Sequence, residues 1–222
     1  MISQPGNTRG RARVIACVAL ALALCQFGLF APQAEASLDL ILEDAPDISV
    51  AYIDISYNAD TDQLVAFGYP AQFKASSGSP SIDITDTTRR FDLTAEIDES
   101  GNLATGSLSI QAKIPDLGFY GDTLLTGNLT ALGFPSGGGD PIEFLFEVTG
   151  GDAGPLYTAA GYAGGIILSY TGLTSKLFSS SFSNTSMGQA NVGAVVPEPM
   201  SMVVWLLLAA CVAAGWWRRR AA

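Results

Sequence analysis

Apolar and polar positions alternate along most of the chain between residues 50 and 170, a pattern typical of β-strands that bury one face. Residues 52–57, Tyr-Ile-Asp-Ile-Ser-Tyr, alternate strictly, and residues 63–69 form a short apolar run. Between them, residues 58–62, Asn-Ala-Asp-Thr-Asp, are typical turn formers. The two runs therefore predict a β-hairpin.

Further strands are predicted at residues 107–114, 123–133, 142–149 and 163–170. In the third of these, Ile142, Phe144 and Phe146 share one face, while Glu143 and Glu147 share the other and are expected to face water. About eight short strands punctuated by glycine predict an all-β fold, an antiparallel β-sandwich over residues 37–177. A jelly-roll-like arrangement and an open barrel are the alternatives.

Residues 178–195 are rich in serine, asparagine and glycine, as in the run Ser-Ser-Ser-Phe-Ser-Asn-Thr-Ser at 179–186. Such a composition predicts a flexible stalk, with an edge strand near residues 178–182 as the alternative for its first part. The stalk leads directly into the C-terminal segment.

The first 36 residues have the organisation of a secretory signal peptide helix. Three arginines at positions 9, 11 and 13 precede an almost wholly apolar run over residues 14–30. Ala34 and Ala36 then occupy the two small-residue positions that signal peptidase recognises, which predicts cleavage before Ser37. A retained membrane anchor is the alternative, and Pro32 and the Ala-x-Ala site favour removal.

The last 27 residues contain three features in a fixed order. Val196, Pro197, Glu198 and Pro199 come first, then an uncharged apolar run over residues 200–217, then Arg218, Arg219 and Arg220. Eighteen helical residues span about 27 Å, enough to cross most of a bilayer core as a transmembrane helix. The arginines should hold the C-terminus in the cytoplasm, and the two prolines should keep the preceding segment extended and accessible to a protease.

This order resembles the PEP-CTERM sorting signal of exported proteins in Gram-negative bacteria that make exopolysaccharide. The resemblance covers residues 196–220 and implies an exosortase substrate, secreted with the help of signal peptidase and the secretion machinery. It further implies transient anchoring in the inner membrane, then delivery to the cell surface, outer envelope or extracellular matrix, in association with exopolysaccharide or biofilm. An ordinary C-terminal anchor is the alternative.

The charge and composition of the body exclude several classes of chemistry. Residues 37–196 contain 19 acidic and five basic residues, a net charge of −14 that disfavours nucleic acid as a partner. The chain has no histidine, and its cysteines, Cys17, Cys25 and Cys211, all lie in the terminal segments. Ser-His-Asp and Cys-His catalysis are therefore excluded, and so are zinc, copper and haem sites built on these ligands. We expect neither enzymatic activity nor a cofactor.

The remaining candidates are oxygen ligands, carboxylate pairs and sugar-binding aromatic side chains. Asp60, Asp62 and Asp98 lie on predicted turns and are candidate calcium ligands, although they lack the EF-hand spacing. Glu143 and Glu147 are about 13 Å apart along one strand, too far for a glycosidase pair. Arg89-Arg90 could bind an acidic sugar or block strand-edge pairing. A carbohydrate- or calcium-binding module is thus the alternative function, and the tyrosines that could stack on sugar are Tyr52, Tyr57, Tyr69, Tyr120, Tyr157, Tyr162 and Tyr170.

Overall fold

Nine antiparallel strands make up most of the chain that the computed structural model describes, residues 37–135, 137–158, 163–173 and 178–195. In chain order they are β1 (Leu42–Asn58), β2 (Gln63–Lys74), β3 (Ile82–Asp83), β4 (Arg90–Ile97), β5 (Leu103–Gln111), β6 (Thr123–Gly133), β7 (Ile142–Gly150), β8 (Gly164–Ser169) and β9 (Phe182–Val195). A short helix, α1 (Gly154–Thr158), follows β7, and a 3-10 helix (Pro115–Leu117) lies between β5 and β6. The predicted hairpin is confirmed, because β1 and β2 pair antiparallel.

The sheet closes on itself. Its strands are ordered β1-β9-β8-β7-β6-β5-β4-β2, and β1 pairs with β2 as well, which completes an eight-stranded antiparallel barrel. The two-residue strand β3 lies outside this ring and pairs with the end of β2. Closure leaves each of the eight strands paired on both sides and removes the exposed edges of an open sheet.

The expected β-sandwich is therefore wrong, since the described strands form one closed sheet. Alternation identifies the residues that face the core, but it is the same for a sandwich and a barrel. The difference lies in β1, a 17-residue strand whose register shifts near Val50 and between Ala51 and Asp54. Such bulges bend and twist a strand, which lets β1 pair with β2 on one side and β9 on the other.

The barrel interior is filled by apolar side chains that alternate along every strand. Phe146 of β7 is the clearest example, because its ring lies against Gly127 of β6 and Gly164 of β8. A methyl group at either glycine would overlap the ring, so the small residues make room for the large one. The interior is a packed core, as expected for a barrel of only eight strands.

Different groups close the two ends of the barrel. At the end where β1 finishes, Tyr57, Phe134, Phe178 and Phe182 form an aromatic cluster with ring centroids 4.9–5.9 Å apart. At the opposite end α1 packs on β6 and β7, and the buried Tyr157 donates a hydrogen bond to the carbonyl of Val192 over 2.8 Å.

The predicted stalk is also corrected. Residues 182–195 form β9, which lies between β1 and β8 in the barrel, and Phe178 is fully buried. Ala190, Val192 and Ala194 alternate into the core. This strand is rich in small residues because it packs closely against its neighbours. A Cβ at Gly188, for example, would lie only 2.7 Å from Ile55 Cδ1 of β1.

The remaining sequence predictions concern the two ends of the chain. The signal peptide at residues 1–36 and the sorting segment at residues 196–222 lie outside the described residues, so both stay predictions. Within the described residues, no helix has the length and apolar character needed to cross a membrane.

Candidate functional site

The barrel interior offers no site for polar chemistry among the described residues. Two polar or charged residues among them are buried, Glu143 on the outer wall and Thr171 after β8, and each already has partners. Thr171 donates through its backbone N–H and its hydroxyl to one carboxylate oxygen of Asp140, at 2.9 and 2.7 Å. The hydroxyl of Tyr57 bonds to the carbonyl of Ile97 over 2.9 Å. These contacts hold the fold together.

The candidate calcium ligand Asp98 is engaged within its own turn. Its carboxylate accepts hydrogen bonds of 2.9 Å from the backbone N–H of Ser100 and from both the backbone N–H and the side-chain amide of Asn102. The Asn102 amide, followed by these backbone donors, lowers the pKa of Asp98 below its usual value of 3.8. The carboxylate therefore serves to fix the β4–β5 turn.

Asp60 and Asp62 lie in the neighbouring β1–β2 turn. Asp60 is exposed, and Asp62 has a left-handed backbone (φ 55°) and accepts the backbone N–H of Ile97 at its carbonyl over 2.7 Å. Burial, reinforced by the carboxylate of Asp62, raises the pKa of Tyr57 to about 12. Across the described residues, no three acidic, histidine or cysteine side chains come together as a metal site.

Glu143 does not face water as predicted. Only 4% of it is exposed, although it points outward from β7, whereas Glu147 on the same face is exposed. Its cover is an N-terminal arm, residues 37–41, that runs over the outer wall before β1. The carboxylate accepts hydrogen bonds from the Ser37 hydroxyl (2.8 Å) and from the backbone N–H groups of Asp39 (3.0 Å) and Leu40 (3.1 Å).

Glycines on the outer wall make room for the arm. A Cβ at Gly165 of β8 would lie 2.8 Å from Leu42 Cδ2 and 3.4 Å from Leu40 Cδ1. A Cβ at Gly193 of β9 would lie 3.2 Å from Leu42 Cβ. Leu40 of the arm and Leu42 of β1 thus pack where the wall has no side chains, and the polar groups of the arm bind Glu143.

A second surface feature is the outer aromatic patch, defined here as Phe67, Tyr69 and Arg90. The rings of Phe67 and Tyr69 meet edge to face with centroids 5.3 Å apart. The Arg90 guanidinium lies 4.6 Å from the Phe67 ring centre and is oriented by two 2.6 Å hydrogen bonds to Asp92. Tyr69 is 42% exposed, so the patch presents an aromatic face and a fixed cation to solvent.

The other predicted sugar-binding tyrosines divide into two groups. Tyr57 and Tyr157 are buried and cannot stack on a ligand. Tyr52, Tyr120 and Tyr170 are exposed, and Tyr162 lies outside the described residues. Of the basic pair, Arg89 donates to the carbonyl of Asp86 over 2.9 Å, while Arg90 belongs to the patch. Because β4 is paired on both sides, Arg90, its first residue, does not protect a free edge.

The processing residues fall at the limits of the described chain. Ser37 is described and contacts Glu143, whereas Ala34 and Ala36 are outside. The sorting motif Val196, Pro197, Glu198 and Pro199 and the cluster Arg218, Arg219 and Arg220 are also outside. Val195 immediately precedes the motif, is the last residue of β9, and pairs with Leu42 of β1.

Sequence reasoning named Tyr69 and Arg90 as candidates for sugar binding, but it missed that they group with Phe67 in one patch. It also missed the burial of Glu143. For Glu143 there was no local signal, because its partners lie more than 100 residues earlier. For the patch there was one: Phe67 and Tyr69 occupy the outward positions of a strand whose inward positions are already apolar. No family model, curated protein or solved structure matches this chain.

Proposed function

We propose that this protein is a non-catalytic exported protein of a Gram-negative bacterium, sorted to the cell surface or extracellular matrix by its C-terminal segment. The observation that carries the proposal is the order of Val196-Pro197-Glu198-Pro199, an apolar run of 18 residues and three arginines. An exosortase is the proposed processing partner, and signal peptidase removes the first 36 residues.

The position of the barrel within the chain supports this arrangement. β9 pairs with β8 up to Ala194 and with β1 up to Val195, and the sorting motif begins at the next residue. Cleavage within residues 197–199 therefore leaves all eight described strands of the barrel in place. The body can be released or transferred with its fold intact.

The chemistry of the described residues supports a role without catalysis. The chain contains no histidine, and residues 37–196 contain no cysteine. The carboxylates of Asp98 and Glu143 accept hydrogen bonds from their own turn or arm. A closed, apolar core and a strongly acidic surface suit a stable, soluble extracellular body.

The sorting proposal is tested by fractionation in a Gram-negative host that carries an exosortase. Replacing Pro197, Glu198 and Pro199 with alanine should leave the protein in the inner membrane fraction, while the unchanged chain reaches the outer envelope or medium. Glu99→Ala, on an exposed barrel turn, is the control and should fractionate normally. Identical distribution of all three proteins contradicts the proposal.

A second candidate function, polysaccharide binding, is favoured by the outer aromatic patch. An exposed tyrosine beside a fixed guanidinium can stack on a sugar ring and bond to its hydroxyl or carboxylate groups. Retention of the purified protein on the exopolysaccharide of its host tests this. Tyr69→Ala should lower retention several-fold, and Tyr120→Ala, which removes a more exposed ring away from the patch, should not. Equal retention of both variants excludes the patch.

A further inference from the structure

Glu143 is a buried carboxylate on the outer wall of the barrel, and the three hydrogen bonds it accepts from described residues come from residues 37–40. Each of these donors is a neutral hydroxyl or backbone N–H. A buried carboxylate is stabilised most strongly by a cationic donor, because charge offsets the loss of hydration. The three ion pairs found among the described residues are Lys74–Asp44, Arg90–Asp92 and Lys113–Asp122, so none involves Glu143.

The backbone nitrogen of Ser37 lies close to this carboxylate. The hydroxyl oxygen of Ser37 is 2.8 Å from Oε2 of Glu143. Three covalent bonds join that oxygen to the Ser37 nitrogen, which limits their separation to about 3.7 Å. The nitrogen is therefore within roughly 6.5 Å of that carboxylate oxygen, a separation that depends on rotation about the bonds of Ser37 alone.

We infer that Glu143 is the binding site for the α-ammonium group that signal peptidase creates at Ser37, an inference that rests on the export part of the proposed function. In the precursor, the Ser37 nitrogen is a neutral amide. Hydrolysis adds water across the Ala36–Ser37 bond, leaving a carboxylate on Ala36 and an ammonium on Ser37. That ammonium supplies a cationic donor, which the buried carboxylate does not have among the described residues.

Docking of the new N-terminus makes the arm part of the finished barrel. Leu40 and Leu42 already cover Gly165, and the ion pair fixes the end of the same segment. The arm holds β7 and β8 from outside and precedes β1, so it spans the region where β1, β9 and β8 adjoin. Removal of the signal peptide thus frees the N-terminus and stabilises the body.

A double-mutant cycle on the mature chain, Ser37–Ala222 in detergent, tests the pair. Four proteins are compared: Ser37 with a free or an acetylated amine, each with Glu143 or with Glu143→Gln. The free terminus is generated in vitro by removing an N-terminal fusion. With Glu143, acetylation should lower Tm by about 4–8 °C, the loss of one charge-assisted hydrogen bond. With Glu143→Gln the loss should fall below about 1 °C.

Two further measurements make the result decisive. Glu147→Gln, the exposed neighbour on the same face, should retain the full effect of acetylation. In the unsubstituted protein, the amides of Asp39 and Leu40 should exchange with solvent several-fold faster after acetylation. An equal effect of acetylation in the Glu143 and Glu143→Gln proteins, or equal exchange rates, overturns the inference.

Because the free Ser37 terminus is made in vitro, the cycle tests the Glu143 site without depending on export of the protein. If the exported protein begins at Ser37 but the cycle shows no coupling, the Glu143 site is wrong and export stands. If the exported protein begins elsewhere, the export proposal fails at that point, whatever the cycle shows.

Discussion

The hydroxyl of Ser37 donates a 2.8 Å hydrogen bond to the carboxylate of Glu143, across 106 residues of sequence. The contact fastens the arm before β1 to the outside of β7, two strands beyond the nearest neighbour of β1 in that direction. The wall beneath the arm makes room for it, since Gly165 leaves space for Leu40 of the arm and for Leu42 at the start of β1. The segment that follows the predicted signal peptide is therefore an integral part of the barrel.

Loss of the Glu143 carboxylate should destabilise the protein. Glu143→Ala leaves three donors of the arm without their acceptor, and we expect a loss of about 2 kcal/mol in the free energy of unfolding. Glu147→Ala removes an exposed carboxylate from the same face and should change that free energy by less than about 0.5 kcal/mol. Urea denaturation of both variants measures the difference, and equal stabilities contradict the role given to Glu143.

Adding a single methyl group at Gly164, which contacts the ring of Phe146, should destabilise the protein. Gly164→Ala places a Cβ against the Phe146 ring and should cost about 1–3 kcal/mol through overpacking. Gly137→Ala, where no atom lies within 4 Å, should be close to neutral. Combining Gly164→Ala with Phe146→Leu should cost less than the sum of the two single changes. Strict additivity in denaturation experiments argues against direct contact.

Truncation distinguishes a barrel strand from a stalk. A chain that ends at Val195 should fold, whereas one that ends at Met187 loses the part of β9 that pairs with β8 and with most of β1. We expect the shorter chain to lose its cooperative thermal transition and its near-ultraviolet circular dichroism. A flexible stalk makes the opposite prediction, because both truncated chains would then melt alike.

Asp98 should contribute to stability in a pH-dependent way. Its pKa is lowered in the folded protein, so its contribution is present above its unfolded pKa of about 3.9 and is lost as the pH falls through the lower, folded value. We expect Asp98→Ala to lower Tm by about 2–4 °C at pH 7, and by less at pH 3. Asp60→Ala, on the adjacent exposed turn, is the control and should change Tm little at either pH. A constant difference in Tm between Asp98→Ala and the unchanged protein across this range contradicts the assignment.

The strands could be predicted from sequence because alternation is a local property. Residues 123–133 were predicted as a strand and form β6 with the same bounds, and residues 142–149 and 163–170 match β7 and β8 to within a residue at each end. Closure of the sheet could not be predicted, because it depends on β1 pairing with strands on both of its sides. Neither pairing changes the alternation of β1 itself.

The composition of residues 178–195 led to the wrong prediction of a stalk, because the small residues of β9 are needed for packing. Gly188 and Gly193 of β9 look like linker residues, yet a side chain at either would press on a neighbouring segment of the structure. The alternation of Ala190, Val192 and Ala194 was present but weak, since alanine contrasts little with serine or glycine. The burial of Glu143 was equally hidden, because a charged residue on an outward position ordinarily faces water.

The intact mass of the protein recovered from the outer envelope and medium of an exosortase-containing Gram-negative host tests the proposed export and sorting most directly. We predict a body that begins at Ser37 and ends within residues 197–199, with or without a further attached group at that end. A chain that reaches these fractions and still extends from Met1 or to Ala222 contradicts the account.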